Sequence, residues 1–214
     1  MSFTILFQGD SITDCGRNVP GAAGYNSHGL GPGYPLLIAS RLYCDAPERN
    51  WNIINRGISG NRVVDLYARW KIDALNLRPD LISILIGVND TWHEFNSANG
   101  VEVPRYERIY REILQWTRQE LPNVRFVLMD PFVCPDMPDR AKFVPDVAAR
   151  RQVVARLAQE FDALHLPTQD ILNEAFKRAP QAFWSADGVH PTPAGHQLIA
   201  DAWLKLVSPI LKLA

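Results

Sequence analysis

The sequence predicts a doubly wound α/β domain built on a parallel sheet. Short apolar, β-prone runs alternate along the chain with longer segments whose apolar residues recur at helical spacing, which is the pattern of βαβ units. The run at residues 81–86 is apolar without interruption, as expected for a strand covered on both faces. The first three predicted strands each end in a polar turn. In such folds these turns share the sheet edge where ligands bind.

Five strands and six helices account for most of the chain. The predicted strands are residues 4–8, 51–55, 81–86, 124–129 and 163–166. The predicted helices are residues 34–43, 62–77, 103–121, 146–161 and 170–178, followed by a last helix that reaches about Leu206. Thr192 and Pro193 are typical of the N-cap and first position of that last helix, which we expect to break near Pro209.

The composition excludes several classes of function. Apolar residues make up 47% of the chain and charged residues 21%, which indicates an ordinary globular protein. The net charge of -1 gives no general attraction to nucleic acid or to an anionic membrane surface. No apolar run is long enough to span a bilayer, and the first residues lack the features of a secretory signal. We therefore expect a single domain, residues 1–214, in the cytoplasm with reduced thiols.

A serine follows the first predicted strand where the chain must turn. Gly9-Asp10-Ser11 comes directly after the β-prone run, which places Ser11 in the crevice beyond the sheet edge. An ordinary turn also explains these residues, because Gly, Asp and Ser dominate turns for backbone reasons. Ser11 is a candidate nucleophile only in combination with residues elsewhere in the chain.

A candidate base with its own partner lies near the C-terminus. In Asp187-Gly188-Val189-His190-Pro191, the Asp can fold back and accept a hydrogen bond from Nδ1 of His190. Nε2 is then free to take a proton from Ser11, which is the logic of an activated serine. The Asp187 carboxylate should outweigh the dipole of the following helix, because it is closer and fully charged. The alternative is a surface turn that only caps that helix.

Two further turns offer donors for an oxyanion. Acyl transfer needs donors where the tetrahedral intermediate carries its charge, each worth about 2.7–4 kcal/mol of barrier. Gly60, after the second strand, can present a backbone N–H, and Asn89, after the third, can offer its side-chain amide. The backbone N–H of Ser11 is a third candidate donor. Taken singly, a tight turn explains Gly60, and a loop or cap position explains Asn89.

Together these segments resemble the four marker blocks of the SGNH (GDSL-type) hydrolases. The blocks are, in order, Gly9-Asp10-Ser11, Gly57-Ile58-Ser59-Gly60-Asn61, Gly87-Val88-Asn89-Asp90 and Asp187-Gly188-Val189-His190-Pro191. The resemblance implies the SGNH hydrolase fold, a flavodoxin-like three-layer α/β/α sandwich with a five-stranded parallel sheet. It implies Ser11 as nucleophile, His190 as base and Asp187 as its partner. It also implies an oxyanion hole from Ser11, Gly60 and Asn89, with no cofactor and no metal.

Within that family the chain is similar to the carbohydrate acetylesterases, xylan acetylesterases in particular. The similarity lies in residues 9–17, 57–61 and 87–92, in Asp65-Leu66 and in Ala68-Arg69-Trp70. It implies a serine esterase that removes short acyl groups, acetyl first, from sugars or oligosaccharides such as acetylated xylan fragments. Ala186 departs from the pattern, because an aromatic residue can directly precede the catalytic Asp in those enzymes. Relatives of this type can form homo-oligomers, so a homo-oligomer is also possible here.

Four residues are candidates for substrate binding. They are Asp10, Tyr25, Trp92 and Trp184. Aromatic side chains more often belong to the core, but Trp92 and Trp184 both flank motif loops. The glycine-rich segment at residues 15–33 is longer than most loops and could close a site or an interface.

Three other interpretations are open. The first is a lipase or thioesterase acting on longer acyl chains, which would usually need a larger apolar groove. The second is a non-catalytic carbohydrate-binding module that keeps the fold without the chemistry. The third places the nucleophile at Ser59, in a turn that resembles but does not complete a Gly-x-Ser-x-Gly elbow. A metal site is not indicated, because the five histidines show no metal-type spacing.

Overall fold

Five strands form one parallel sheet in the computed structural model, which describes residues 2–17 and 29–212. The strands are β1 (Phe3–Gly9), β2 (Trp51–Asn55), β3 (Leu81–Leu85), β4 (Arg125–Met129) and β5 (Leu164–Leu166). Their order across the sheet is β2-β1-β3-β4-β5, and every neighbouring pair is parallel. The predicted five-stranded parallel sheet is confirmed. β1, which leads to Ser11, lies between β2 and β3.

Ten helices are described around this sheet. They are α1 (Ser11–Asp14), α2 (Tyr34–Asp45), α3 (Val63–Ala68), α4 (Trp70–Asp73), α5 (Val88–Ser97), α6 (Val103–Glu120), α7 (Val144–Glu160), α8 (Thr168–Phe176), α9 (Gln181–Trp184) and α10 (Pro193–Leu211). Short 3₁₀ turns occur at Pro47–Arg49, Leu75–Leu77 and Ala141–Phe143. No helix in these ranges has both the length and the apolar character needed to cross a membrane.

Two hydrophobic cores, one on each face of the sheet, make the three layers. Successive side chains of a strand point to opposite faces. Phe7 therefore packs with residues of α2, α8 and α10, whereas Leu6 packs with residues of α3, α4, α6 and α7. All five residues of β3 are buried, as its uninterrupted apolar run predicts. The α/β/α sandwich implied by the sequence motifs is confirmed.

The helix predicted at residues 62–77 is divided in the structure. α3 ends at Ala68, the backbone of Arg69 leaves the helical region (φ -105°, ψ 4°), and α4 starts at Trp70. Apolar spacing cannot detect this break, because Leu66 and Trp70 keep their positions on the buried face. What distinguishes Arg69 is its side chain, which hydrogen-bonds outside the helix.

Other helix boundaries also differ from the sequence prediction. α5 occupies the segment after β3, where the sequence indicated only a turn. α10 continues through Pro209 to Leu211, so the expected break is wrong. A proline removes one backbone donor, and near the end of a helix only a single hydrogen bond is lost. The hydroxyl of Ser208 donates to the carbonyl of Leu204 within this last turn.

Candidate active site

Three side chains form a continuous hydrogen-bonded series at the carboxyl edge of the sheet. Oγ of Ser11 lies 2.7 Å from Nε2 of His190. Nδ1 of the same ring lies 2.7 Å from Oδ2 of Asp187. Ser11 begins α1 directly after β1, and the other two residues lie in the loop between α9 and α10. The structure thus brings together a hydroxyl, a base and a carboxylate that orients the base, as an activated nucleophile requires.

The carboxylate of Asp187 is held by backbone N–H groups of its own turn. Oδ1 of Asp187 accepts from the N–H groups of Val189, at 2.9 Å, and His190, at 2.8 Å. Gly188 has φ +89°, and a Cβ there would lie 2.6 Å from Cγ of Arg140. Any other residue would be strained at this position. Oδ2 of Asp187 is therefore aimed at the imidazole by a rigid turn.

The electrostatics of this turn keep Asp187 charged. Burial tends to raise the pKa of its carboxyl, but hydrogen bonds from the backbone and ring of His190 and from Val189 outweigh burial. The pKa of Asp187 therefore lies below its ordinary value, so the carboxylate is ionised at neutral pH. An ionised partner holds the Nδ1 proton and leaves Nε2 as the acceptor that faces Ser11.

The two turns with candidate oxyanion donors lie on either side of β1. The chain beyond β2 stays paired with β1, since the N–H of Ile58 donates to the carbonyl of Gly9 at 3.1 Å. Gly60 follows in this turn with φ +82°, and its N–H has no acceptor within residues 2–17 and 29–212. Nδ2 of Asn89 donates to the carbonyl of Asn61 at 3.2 Å, which leaves its second amide hydrogen available. The sheet order therefore places these two segments on either side of the strand that leads to Ser11.

Replacement of Asn89 by alanine is expected to lower kcat by about 10²–10³-fold, the usual effect of removing one oxyanion donor. The measurement is steady-state hydrolysis of p-nitrophenyl acetate together with a thermal unfolding curve. Asn96→Ala, an exposed position on the same helix, is the matched control and should keep wild-type turnover. Unchanged turnover in Asn89→Ala would remove this residue from the oxyanion hole.

Asp10 caps the short helix that carries Ser11. Its side chain is 1% exposed, Oδ1 accepts from the N–H of Ile12 at 3.0 Å, and Oδ2 has no partner among the described residues. Burial raises the pKa of Asp10 to about 7, although the Ile12 hydrogen bond and nearby His190 act in the opposite direction. This placement does not support the predicted contact between Asp10 and substrate.

The Asp10→Asn variant is expected to gain stability over the wild type as pH rises. The folded-state pKa of about 7 exceeds the ordinary 3.8, so the folded protein holds this proton more tightly than the unfolded chain. Between about pH 4 and 7 the contribution of Asp10 to the stability of the wild type therefore falls, whereas an amide does not titrate and still accepts from Ile12. The Tm difference between variant and wild type should grow across this range. A constant difference from pH 4 to 8 would contradict the buried, protonated carboxyl.

The candidate substrate-binding aromatics differ in their placement. Trp92 lies beside the candidate site, with its ring centre 5.9 Å from that of His190 and 4.1 Å from the guanidinium of Arg140. Trp184 is only 7% exposed, and its indole N–H donates to the carbonyl of Ala179 at 3.3 Å. It has little surface for a substrate. Tyr25 lies outside the described residues, as does most of the glycine-rich segment at residues 15–33.

Among the described residues, the alternative nucleophile Ser59 bonds to a carboxylate and not to a histidine. Its hydroxyl donates to Oδ2 of Asp14 at 2.6 Å, and its N–H donates to the same oxygen at 3.1 Å. These bonds tie the Gly60 turn to α1. Ser59 therefore supports the turn that carries a candidate oxyanion donor.

Cys15 also contacts a histidine, but the pair is not a second nucleophile and base. Sγ lies 3.5 Å from Nε2 of His196, whose Nδ1 accepts from the N–H of Tyr34 at 3.2 Å. The proton of the neutral ring must therefore sit on Nε2, so this nitrogen cannot accept one from the thiol. Burial and the neighbouring His190 lower the pKa of His196 to about 4, which keeps the ring neutral.

The α/β/α fold and the hydrogen-bonded series at its sheet edge together point to an acyl hydrolase. The family model of the GDSL-like lipases and acylhydrolases matches residues 7–198. The chain belongs to this family and is a carboxylic ester hydrolase.

The chain is similar over nearly its whole length to individual esterases. An acetylxylan esterase from Geobacillus stearothermophilus is 37% identical over 207 residues, which cover 94% of this chain and 92% of the relative. A solved structure from Parabacteroides merdae, described as a GDSL-like lipase, is 40% identical with a TM-score of 0.89 and covers 96% of this chain and 95% of its own. A catalytic mutant of Axe2, an acetylxylan esterase from G. stearothermophilus, is 34% identical with a TM-score of 0.85 and coverage of 96% and 94%. The family and fold implied by the sequence motifs are confirmed.

Proposed function

We propose that the protein is a serine esterase that removes acetyl groups from sugars or oligosaccharides, such as acetylated xylan fragments. The observation that carries the mechanism is the series from Oγ of Ser11 through His190 to Asp187, with both distances at 2.7 Å. The substrate class is supported by similarity to an acetylxylan esterase over 94% of the chain. Family membership argues against the non-catalytic alternative.

Acylation begins when Oγ of Ser11 attacks the ester carbonyl while Nε2 of His190 takes the hydroxyl proton. The ionised Asp187 stabilises the resulting imidazolium and keeps the ring in place. The N–H groups of Ser11 and Gly60 and the amide of Asn89 stabilise the tetrahedral oxyanion. As the intermediate collapses, His190 protonates the departing sugar oxygen, which leaves as a hydroxyl group, and the acyl group remains on Ser11.

Deacylation repeats these steps with water. His190 takes a proton from a water molecule that attacks the acyl-enzyme, and the second tetrahedral intermediate uses the same donors. Its collapse releases the acid and returns the proton from His190 to Ser11. Trp92, beside His190, supplies an aromatic wall on which a sugar ring can pack.

Covalent labelling tests the nucleophile directly. An organophosphorus fluoridate transfers its phosphoryl group to an activated serine oxygen with loss of fluoride. We expect one label per chain, found by peptide mapping on Ser11, with loss of activity in proportion to labelling. A label on Ser59 would overturn the proposed mechanism.

Hydrolysis of p-nitrophenyl acetate, butyrate and octanoate tests the acyl group. Among these three esters we expect the acetate to have the highest kcat/KM. In a second assay, we expect the protein to release acetate from acetylated xylo-oligosaccharides. Preference for octanoate would instead support the lipase or thioesterase interpretation.

The homo-oligomer and the cytoplasmic location stay predictions. Light scattering during size-exclusion chromatography tests the oligomeric state.

A further inference from the structure

The Ala68-Arg69-Trp70 segment contains a residue that joins the parts of the candidate oxyanion hole. Arg69 lies at the break between α3 and α4, and its side chain is 13% exposed. Nε donates to Oδ1 of Asn61 at 2.7 Å, and Nη1 donates to the carbonyl of Arg56 at 2.8 Å. Both acceptors belong to the turn that carries Gly60. Arg69 therefore holds this turn from both of its ends.

The same guanidinium also holds the end of the strand that leads to the nucleophile. Nη2 of Arg69 donates to the carbonyl of Gly9 at 3.2 Å, and Nη1 donates to Oε1 of Gln8 at 3.0 Å. Gly9 lies two residues before Ser11. The charge is balanced by Asp73, whose Oδ2 lies 3.2 Å from Nη1. One largely buried cation thus binds both the β1 end and the neighbouring turn.

Asn61 extends these contacts to the third candidate donor. Its side chain accepts from Arg69, and its backbone carbonyl accepts from Nδ2 of Asn89 at 3.2 Å. The position of the Asn89 amide therefore depends on the same residue that Arg69 holds. The connection reaches all three parts of the oxyanion hole: the strand end before Ser11, the turn with Gly60, and Asn89.

We propose that Arg69 is a positioning residue for the oxyanion hole. It fixes the donors of Gly60 and Asn89 relative to Ser11, and this role rests on the proposed function. Oxyanion donors act only when they are aimed at the position that the charge will occupy. The planar fork of arginine can bind acceptors in several directions, whereas the ammonium of lysine is a compact charge without that geometry.

The first test is Arg69→Lys, measured with p-nitrophenyl acetate. A displacement of about 1 Å in a positioned group can cost about 10²-fold in rate, so we expect kcat to fall about 10–100-fold with little change in KM. Wild-type kcat in a folded Arg69→Lys protein would overturn the proposal. If that variant does not fold, Asn61→Ala removes only the bond to Nε and the same criterion applies to it.

Arg118→Lys is the matched control for a purely structural arginine. Its guanidinium also binds several backbone carbonyls, those of Pro122, Val124 and Phe161, near the start of β4 at the opposite edge of the sheet. We expect this variant to lower Tm without changing kcat. An equal loss of kcat in Arg118→Lys would show that the Arg69 effect is one of general stability.

A double-mutant cycle separates positioning from stability. If Arg69 acts through the oxyanion hole, Arg69→Lys should cost much less in the Asn89→Ala background than in the wild type. If the loss of kcat in the double variant equals the product of the two single losses, the proposal is overturned. Covalent labelling of Ser11 tests the proposed function separately. If the wild type is labelled at Ser11 but the losses of kcat in Arg69→Lys and Asn89→Ala are independent, only the role of Arg69 is rejected.

Discussion

The Ser11→Ala variant is expected to lose about 10⁴–10⁶-fold in kcat for p-nitrophenyl acetate, the scale found when a catalytic serine is removed. In the proposed mechanism the hydroxyl oxygen forms the acyl-enzyme, and no other described hydroxyl lies within hydrogen-bond distance of Nε2 of His190. Alanine is compatible with the first position of α1, so the folded structure should be retained. The measurement is turnover over a long incubation, together with thermal unfolding.

Two further serine variants make this result specific. Ser40→Ala removes an exposed hydroxyl that bonds only to the carbonyl of Leu36, and it should leave kcat unchanged. Ser59→Ala should retain most of the activity, because its N–H still donates to Asp14. If instead Ser59→Ala abolished turnover and Ser11→Ala did not, the nucleophile would have to be reassigned.

The candidate catalytic residues could be predicted from the sequence because their positions follow from topology. Ser11 and Asn89 lie two and four residues after the ends of β1 and β3, and parallel strands end at one edge of the sheet. Asp187 and His190 lie within one short turn, so their contact needs no long-range information. Only the approach of His190 to Ser11 depends on distant parts of the chain. The ordered motif set was sufficient to imply that approach.

The supporting contacts could not be predicted, because apolar spacing carries no information about them. Arg69 lies within a segment of regular helical spacing, and its role depends on acceptors in a turn and in another strand. The burial of Trp184 depends on how α9 packs against α10. Its position next to a motif loop in the sequence does not reveal that packing. Asp10 is a candidate for substrate contact from the sequence, but its buried carboxyl caps α1 instead. In each case a side chain's direction decides its role.

Asp187→Asn should lower kcat by about 10³–10⁴-fold, as in other serine hydrolases in which the orienting carboxylate becomes an amide. Asp187 uses both oxygens as acceptors, Oδ1 for two backbone N–H groups and Oδ2 for the imidazole. An amide has one acceptor oxygen. With that oxygen held by the backbone, the NH₂ group faces Nδ1 and forces the ring proton onto Nε2. The ring then donates towards Ser11 and cannot take its proton.

A control variant and an NMR signal separate loss of the correct tautomer from loss of charge or of folding. Asp136→Asn makes the same substitution at an exposed carboxyl in the neighbouring loop and should keep wild-type kcat. Proton NMR of the wild type should show a hydrogen-bonded Nδ1 proton from His190 that disappears in Asp187→Asn. Activity within about tenfold of the wild type, with that proton absent, would show that Asp187 does not orient the base, whatever the effect on stability.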